Sequence, residues 1–357
     1  MIRNKLDIYN LSGPTHLTAI DWNNADHRRS IVVSLVQGVY VLEQDRQHSL
    51  RQEPKAFAPP WWESFHFQLN YKLLDNVDKS IFGAIYELKP VYNSDDSARS
   101  PPKYVVAFRG NVLESYDTCV RDLKLDIEYY FNILHWDSRF ELAIKKVEEM
   151  VHLAGSSANV WLAGHSLGSA IALIAGKNMT RLGYELETYL FNPPFASLTS
   201  FFMRFIKNQT VKDIVHFSQS RFKAIVAKAY NNINNKAKKC HDPFVLLSTW
   251  LPYLFVNPDD PLCSGYISYF ENKKKMEKIG AKKYEKLATK TSMRSLIFSG
   301  LATLEISEHE PEDLHLLPSA HMFTNRGQLP ASRRAHGIEQ WWNPDTHCHP
   351  MVYQFKE

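Results

Sequence analysis

Glycine is scarce in this chain, 14 among 357 residues. That excludes collagen-like and Gly-rich low-complexity architectures. Cysteine is scarcer still: Cys119, Cys240, Cys263 and Cys348 lie far apart and form no CxxC pair. A zinc ribbon is therefore not expected, and a chain of this length needs no disulfide framework, so the thiols read as reduced. Long apolar runs are also missing. The longest, residues 246–256, is too short to span a bilayer and contains Pro252. The opening residues Met1-Ile2-Arg3-Asn4-Lys5 lack the apolar run of a signal peptide. Charge of one sign does not dominate either: 42 Lys and Arg against 38 Asp and Glu leave +4, too little for nucleic acid without a focused basic patch. Together these absences predict a soluble, cytoplasmic protein with no nucleic-acid partner.

What is present can build a core. Hydrophobic residues make up 44% and charged residues 22%, which excludes a mostly disordered chain. Residues 1–29 are polar and suit a loop or capping arm. Ile31, Val32, Leu35, Val36, Val39 and Leu42 then step by three and four, the spacing of a helix. Phe82, Ala84, Tyr86 and Leu88 alternate as a strand, and residues 104–108 form a second, buried strand across a long polar tip. A helix over 138–154 stops before Gly155. A strand over 158–163, a helix over 167–182 and a strand over 188–191 follow. This alternation predicts an α/β fold with a mostly parallel sheet covered on both faces. Further on, 196–240 and 265–305 look helical, with a strand at 251–256 between them. The organisation expected is one domain over 1–357, with an N-terminal helical arm at 1–60 and helical insertions at 196–249 and 265–330.

The chemistry centres on Gly164-His165-Ser166-Leu167-Gly168, a G-x-S-x-G sequence. A strand precedes it and a helix follows, the context of a nucleophile elbow. The sharp turn strains the nucleophile's backbone, the glycines remove Cβ clashes, and the helix N-terminus favours developing negative charge. Without that context the same residues would be an ordinary Gly-Ser turn. His165, beside the serine, reads as packing, because consecutive side chains in such a turn diverge.

A serine nucleophile needs a base and a carboxylate to orient it. In this kind of fold they follow the serine, acid first. Val256-Asn257-Pro258-Asp259-Asp260-Pro261 runs a strand into a turn bearing two aspartates, so Asp260 and Asp259 are the candidates. A surface Pro-Asp turn would look the same. Six histidines follow: His309, His315, His321, His336, His347 and His349. His336 has small neighbours and a Trp341-Trp342 anchor nearby. The His347-Cys348-His349 cluster lacks a second ligand group, so no metal is expected. An oxyanion hole would use the backbone N–H of Leu167 and one from the turn Arg109-Gly110-Asn111, with Asn111 as the donor.

These pieces together resemble the class 3, fungal-lipase-like branch of the α/β-hydrolases. The resemblance rests on residues 105–110, the elbow 162–168 and residues 256–261. Asn192-Pro193-Pro194-Phe195 and residues 335–342 resemble a plant subgroup labelled GDSL esterase/lipase-like, although the elbow is not a GDSL block. It spans roughly residues 20–350. The resemblance implies an α/β-hydrolase fold, Ser166 as nucleophile, Asp260 as acid (it directly precedes Pro261), His336 as base, and Leu167 and Asn111 as oxyanion donors. It implies no cofactor. Asn111 stands where many members carry Thr or Ser, so a hydroxyl contribution is lost while the backbone donor remains. The resemblance also implies a lid over 112–134, which an ordinary surface helix would explain equally.

The leading function is a serine carboxylic-ester hydrolase acting on acyl lipids or smaller esters through an acyl-enzyme. The alternatives are a lipase-like scaffold that binds lipids or partners without turnover, and an acyltransferase using the same residues. Lys273, Lys274, Lys275, Lys278, Lys282, Lys283, Lys286 and Lys290 form either a solvated helix face or a peripheral contact with anionic membrane.

Overall fold

The computed structural model describes residues 17, 19–50, 61–90, 100–110, 135–195, 247–278, 317–327, 335–342, 346 and 348–355. The elements are α1 (Ala25–Leu50), β1 (Phe67–Leu74), β2 (Ile81–Leu88), β3 (Tyr104–Phe108), α2 (His135–Ala154), β4 (Val160–His165), α3 (Leu167–Arg181), β5 (Glu187–Phe191), β6 (Tyr253–Val256), α4 (Gly265–Lys278), β7 (Ala320–Asn325) and β8 (Cys348–Tyr353). The eight strands form one sheet in chain order. β3 to β7 pair in parallel, and β1, β2 and β8 add antiparallel edges. The predicted hairpin is the β2–β3 pair, with Ile85 opposite Val106.

Parallel neighbours taken in chain order impose a consequence. Right-handed crossovers put every connecting helix on the same face. Ala143 and Val147 of α2, Ile171 and Leu173 of α3, and Tyr266 and Phe270 of α4 indeed share one core cluster. The opposite face, bearing Val105, Trp161, Tyr189, Phe191 and Phe255, needs a helix from elsewhere, and α1 supplies it through Ile31, Val32, Leu35, Val36 and Val39. The segment expected to be an arm is therefore a layer of the core. It also starts earlier than its apolar spacing implies. The Asn24 side chain accepts the Asp26 N–H at 2.8 Å, a cap that begins the helix in a polar stretch with no apolar signal.

Three strands went unpredicted. Phe67, Leu69, Tyr71 and Leu73 of β1 alternate with polar residues, the period-two pattern of a strand. β7 and β8 carry little signal, and Pro350 in β8 is tolerated because that strand is an edge. Within the stretch 265–330, expected as a helical insertion, Gly265–Lys278 is the helix α4, whereas Ala320–Asn325 is a strand, β7, which fills the sheet beside β6. Lys273 also departs from a solvated lysine face: it is buried, and its Nζ donates to the Pro318 carbonyl at 2.6 Å. Lys274 is exposed. The helix predicted over 196–240, most of the Lys-rich stretch and the lid at 112–134 lie outside the described residues. Among the described residues no helix is long and apolar enough to cross a membrane.

Candidate active site

In a parallel sheet, the ends of neighbouring strands deliver their following residues to one edge, where ligands bind. Here Arg109 and Gly110 follow β3, Ser166 follows β4, Asn192 follows β5, and the Asp260 turn follows β6.

Ser166 occupies the tip of the turn between β4 and α3, with φ 55° and ψ −124°. A non-glycine residue with positive φ is strained by roughly 1–3 kcal/mol and persists only where surroundings enforce it. The enforcement is visible. The Ser166 N–H donates to the Phe191 carbonyl at 2.9 Å, and Ser169 Oγ donates to the Gly164 carbonyl at 2.6 Å. A Cβ on Gly164 would lie 2.2 Å from the Gly168 carbonyl oxygen, and one on Gly168 would lie 2.3 Å from that of Phe108. Only glycine at both positions lets the helix start so close to the strands.

Ser166 Oγ lies 3.0 Å from His336 Nε2. The other ring nitrogen, Nδ1, lies 2.8 Å from Asp260 Oδ2. Asp260 is fully buried, and its Oδ1 accepts the Leu262 N–H at 3.0 Å. Burial would push this carboxyl's pKa upward. The His336 charge and hydrogen bonds from His336, Cys263 and Asn192 outweigh it and hold the group below the usual carboxylate range. The neighbouring Asp259 is exposed and serves the turn, its N–H donating to Asn257 Oδ1. A serine hydroxyl hydrogen-bonded to an imidazole, itself oriented by a buried carboxylate, is the arrangement that lets an alcohol lose its proton during attack on a carbonyl.

The segment bearing His336 is irregular, yet three consecutive carbonyls are captured. Ala335 accepts from Asn192 Nδ2 at 2.9 Å and from Gln340 Nε2 at 2.7 Å. His336 accepts from His165 Nε2 at 2.9 Å. Gly337 accepts from Gln340 Nε2 at 2.8 Å. Gln340 Oε1 in turn accepts from Asn257 and Asn325, which follow and end β6 and β7. Trp341 is the expected anchor: fully buried, its indole N–H donates to Asn192 Oδ1 at 2.5 Å.

Asn192 was missed as a site residue. Its Nδ2 also donates to Asp260 Oδ2 at 2.6 Å, so one amide holds both the Asp260 carboxylate and the carbonyl of Ala335, next to His336. It was findable as the first residue after a parallel strand. Cys263, also buried here, is poorly suited to act as a nucleophile: burial and the adjacent Asp260 charge push its thiol well above its ordinary pKa.

Leu167 opens α3, and N–H groups in a helix's first turn have no intrahelical acceptor. Its amide is thus available beside Ser166 to a developing oxyanion. Asn111 lies outside the described residues, as do His309, His315 and His347. Among the remaining candidates, His321 stacks on Tyr253 with ring centroids 5.2 Å apart, and His349 is exposed on edge strand β8. No cluster of three or more potential metal ligands occurs among the described residues.

The family profile of Lipase (class 3) matches residues 99–238. That range takes in β3, the elbow, α3 and β5, and stops short of Asp260 and His336. No solved structure matches the chain. A curated protein of Arabidopsis thaliana named GDSL esterase/lipase At4g10955 is 40% identical over 365 residues, covering 100% of both chains. At that identity over the full length, and with the family profile seated on the elbow, the chain belongs to the class 3 lipases, carboxylic-ester hydrolases of the α/β-hydrolase fold.

Proposed function

We propose that the chain hydrolyses acyl esters of lipids, with Ser166 as nucleophile, His336 as general base and acid, and Asp260 as the carboxylate that orients the imidazole. The observation that carries this reading is the position of the His336 ring, bridging a strained serine and a buried aspartate from distant parts of the chain. The Arabidopsis relative, named an esterase/lipase, supports the same activity.

Ser166 Oγ attacks the ester carbonyl carbon while His336 Nε2 takes its proton. The tetrahedral oxyanion is stabilised by the Leu167 N–H and by a second backbone N–H, assigned to Asn111. Collapse breaks the bond to the alcohol, which leaves with the proton from His336. Water then attacks the acyl-enzyme by the same route, releasing the acid and restoring the serine. Asp260 stays ionised throughout and stabilises the imidazolium, a role that its depressed pKa suits.

A fluorophosphonate probe, followed by peptide mapping, tests the nucleophile. The expected result is labelling at Ser166. Ser166→Ala should then lower turnover of vesicle-borne and soluble esters by about 10⁶-fold; retention of a tenth of the activity would sink the assignment. A chain that takes no label would be a binding scaffold. Transfer to added alcohols exceeding hydrolysis would make it an acyltransferase.

A further inference from the structure

We propose that Tyr40 and His165 form a positioning bridge that locks the backbone of His336 and the turn after β3 into register with Ser166. The proposal rests on the reading of Ser166 and His336 as nucleophile and base. Neither Tyr40 nor His165 touches the reacting atoms in it; both act through the groups they hold.

The bridge runs through three hydrogen bonds. His165 Nε2 lies 2.9 Å from the His336 carbonyl oxygen. His165 Nδ1 lies 2.8 Å from the Tyr40 hydroxyl. The Gly110 N–H donates to that same hydroxyl oxygen at 2.7 Å. Every proton in the chain is determined by what it faces. A carbonyl can only accept, so His165 Nε2 carries the hydrogen. Burial, reinforced by the like charge of His336, pushes the His165 pKa down to about 3, so the ring is neutral and its Nδ1 is a bare acceptor. The Tyr40 hydroxyl must therefore donate to Nδ1, which leaves its oxygen to accept from Gly110. The direction is single: Gly110 to Tyr40 to His165, and from the far side of the His165 ring to His336.

Both ends of this bridge matter geometrically. At one end, Gly110 is held twice, by Tyr40 at its N–H and by Arg109 Nη1 at its carbonyl, 2.6 Å away. A Cβ on Gly110 would lie 2.8 Å from the Tyr40 hydroxyl and 2.9 Å from Ser166 Cβ. The turn is thus pressed between the bridge and the nucleophile, immediately before the residue assigned as oxyanion donor. At the other end, the ring of His336 is aimed by Asp260, and its own carbonyl is held by His165. Strand geometry explains why the two histidines divide the work. Side chains alternate across a strand, and His165, the last residue of β4, faces α1 and its Tyr40. Ser166, next in the chain, is turned away by its positive φ. A misplacement of about 1 Å between reacting groups can cost on the order of 10²-fold in rate, which is the scale available to such a device.

Four proteins decide the matter: wild type, Tyr40→Phe, His165→Leu and His165→Gln, each assayed for kcat and KM on a soluble short-chain ester, for fluorophosphonate labelling rate and for thermal midpoint. Tyr40→Phe keeps the ring and removes only the hydroxyl. The expected results are a kcat loss of roughly tenfold or more in Tyr40→Phe and about 10²-fold in His165→Leu, with KM within twofold in both. Labelling of Ser166 should slow in parallel. His165→Gln, which keeps an amide N–H for the His336 carbonyl, should recover about tenfold of the leucine variant's loss. Unchanged kcat in Tyr40→Phe, equal kcat in the glutamine and leucine variants, or losses explained by the unfolded fraction would each overturn the bridge. If His165→Leu does not fold, Tyr40→Phe decides alone. Wild-type protein that takes no label at Ser166 would overturn the underlying reading and the bridge with it, whereas normal labelling beside an unaffected Tyr40→Phe would overturn the bridge only.

Discussion

Along β4, β5, β6 and β7, alternate side chains go to two different chemistries. Toward α1 point Trp161, Tyr189, Phe191, Phe255 and Phe323; toward α3 and its neighbours point Leu162, Leu190, Leu254, Val256 and Met322. On the first face the rings stack at the spacing of the strands themselves. Phe191 and Phe255, partners in register, have centroids 4.7 Å apart, and Phe255 and Phe323 have centroids 5.0 Å apart. On the second face, small and aliphatic residues let α3 sit close to the sheet, down to the touching backbones of Gly168 and Phe108.

The difference separates two tasks. The aliphatic face sets the elbow, because a close-packed α3 forces the chain to turn sharply at Ser166. The aromatic face supplies rigid rings with a polar edge, and these frame the histidine: Trp341 through Asn192, His165 directly, and Tyr40 behind it. A ring with one N–H or O–H fills volume and also makes a directed hydrogen bond, which an aliphatic core cannot do. The proposed nucleophile thus depends on close approach, and the proposed base on polar rings.

The comparison is tested most severely at the one carboxylate both halves converge on. Asp260→Asn keeps the shape and removes the charge that holds the imidazole tautomer, and it should lower kcat by about 10⁴-fold. Asp259→Asn, at an exposed position that contributes only its backbone N–H, should stay within a few-fold of wild type. Parallel steady-state assays check both, and a larger loss at Asp259 would reverse the assignment.

A smaller contrast separates the faces themselves. Leu173→Ala, on the aliphatic face in α3, should cost about 2–5 kcal/mol of stability while the folded fraction keeps kcat within about twofold. Trp341→Phe, on the aromatic face, should cost about 1–3 kcal/mol by leaving Asn192 Oδ1 unpaired, yet lower kcat more than the leucine variant does. Denaturant melts beside single-turnover assays measure both quantities. Equal kcat in the two variants would mean that the faces do not divide the work.

Much of this was legible in the residues, and the gaps have physical causes. The elbow could be read because a strand, two glycines and a helix leave a local signature. Asp260 and His336 needed the family resemblance: turn aspartates and loop histidines have no periodicity, and nothing local says that residues 76 positions apart meet. The α1 layer was mistaken for an arm because periodicity reports which face of a helix is apolar, not what that face covers. β8 was missed because an edge strand with Pro350 needs little hydrophobicity of its own. Asn192 and Tyr40 are single polar residues whose roles exist only through tertiary contact.

The finest test of the two-face comparison is a pH dependence of stability. His165 titrates near its ordinary value of about 6.5 in the unfolded chain but only at about 3 in the folded one. Above about pH 6.5 neither state is protonated, and the ring has no linkage effect. Below it the unfolded chain takes up a proton that the folded protein refuses, so stability falls as pH falls, by up to about 1.4 kcal/mol per unit, until about pH 3. Asp260 works in the same direction but lower on the scale: its folded pKa is depressed, so its contribution begins to be lost only below about pH 5, as carboxylates of the unfolded chain start to protonate. The window between about pH 6.5 and 5 therefore isolates the histidines. His321, also depressed by burial but only partly enclosed, contributes a residual slope. Denaturant melts of wild type and His165→Gln at half-unit steps through this window should show the steeper fall in wild type and a flatter curve in the variant. Parallel curves would mean that the His165 ring takes up its proton in the folded protein, and the one-way chain from Gly110 to His336 would lose its bare acceptor.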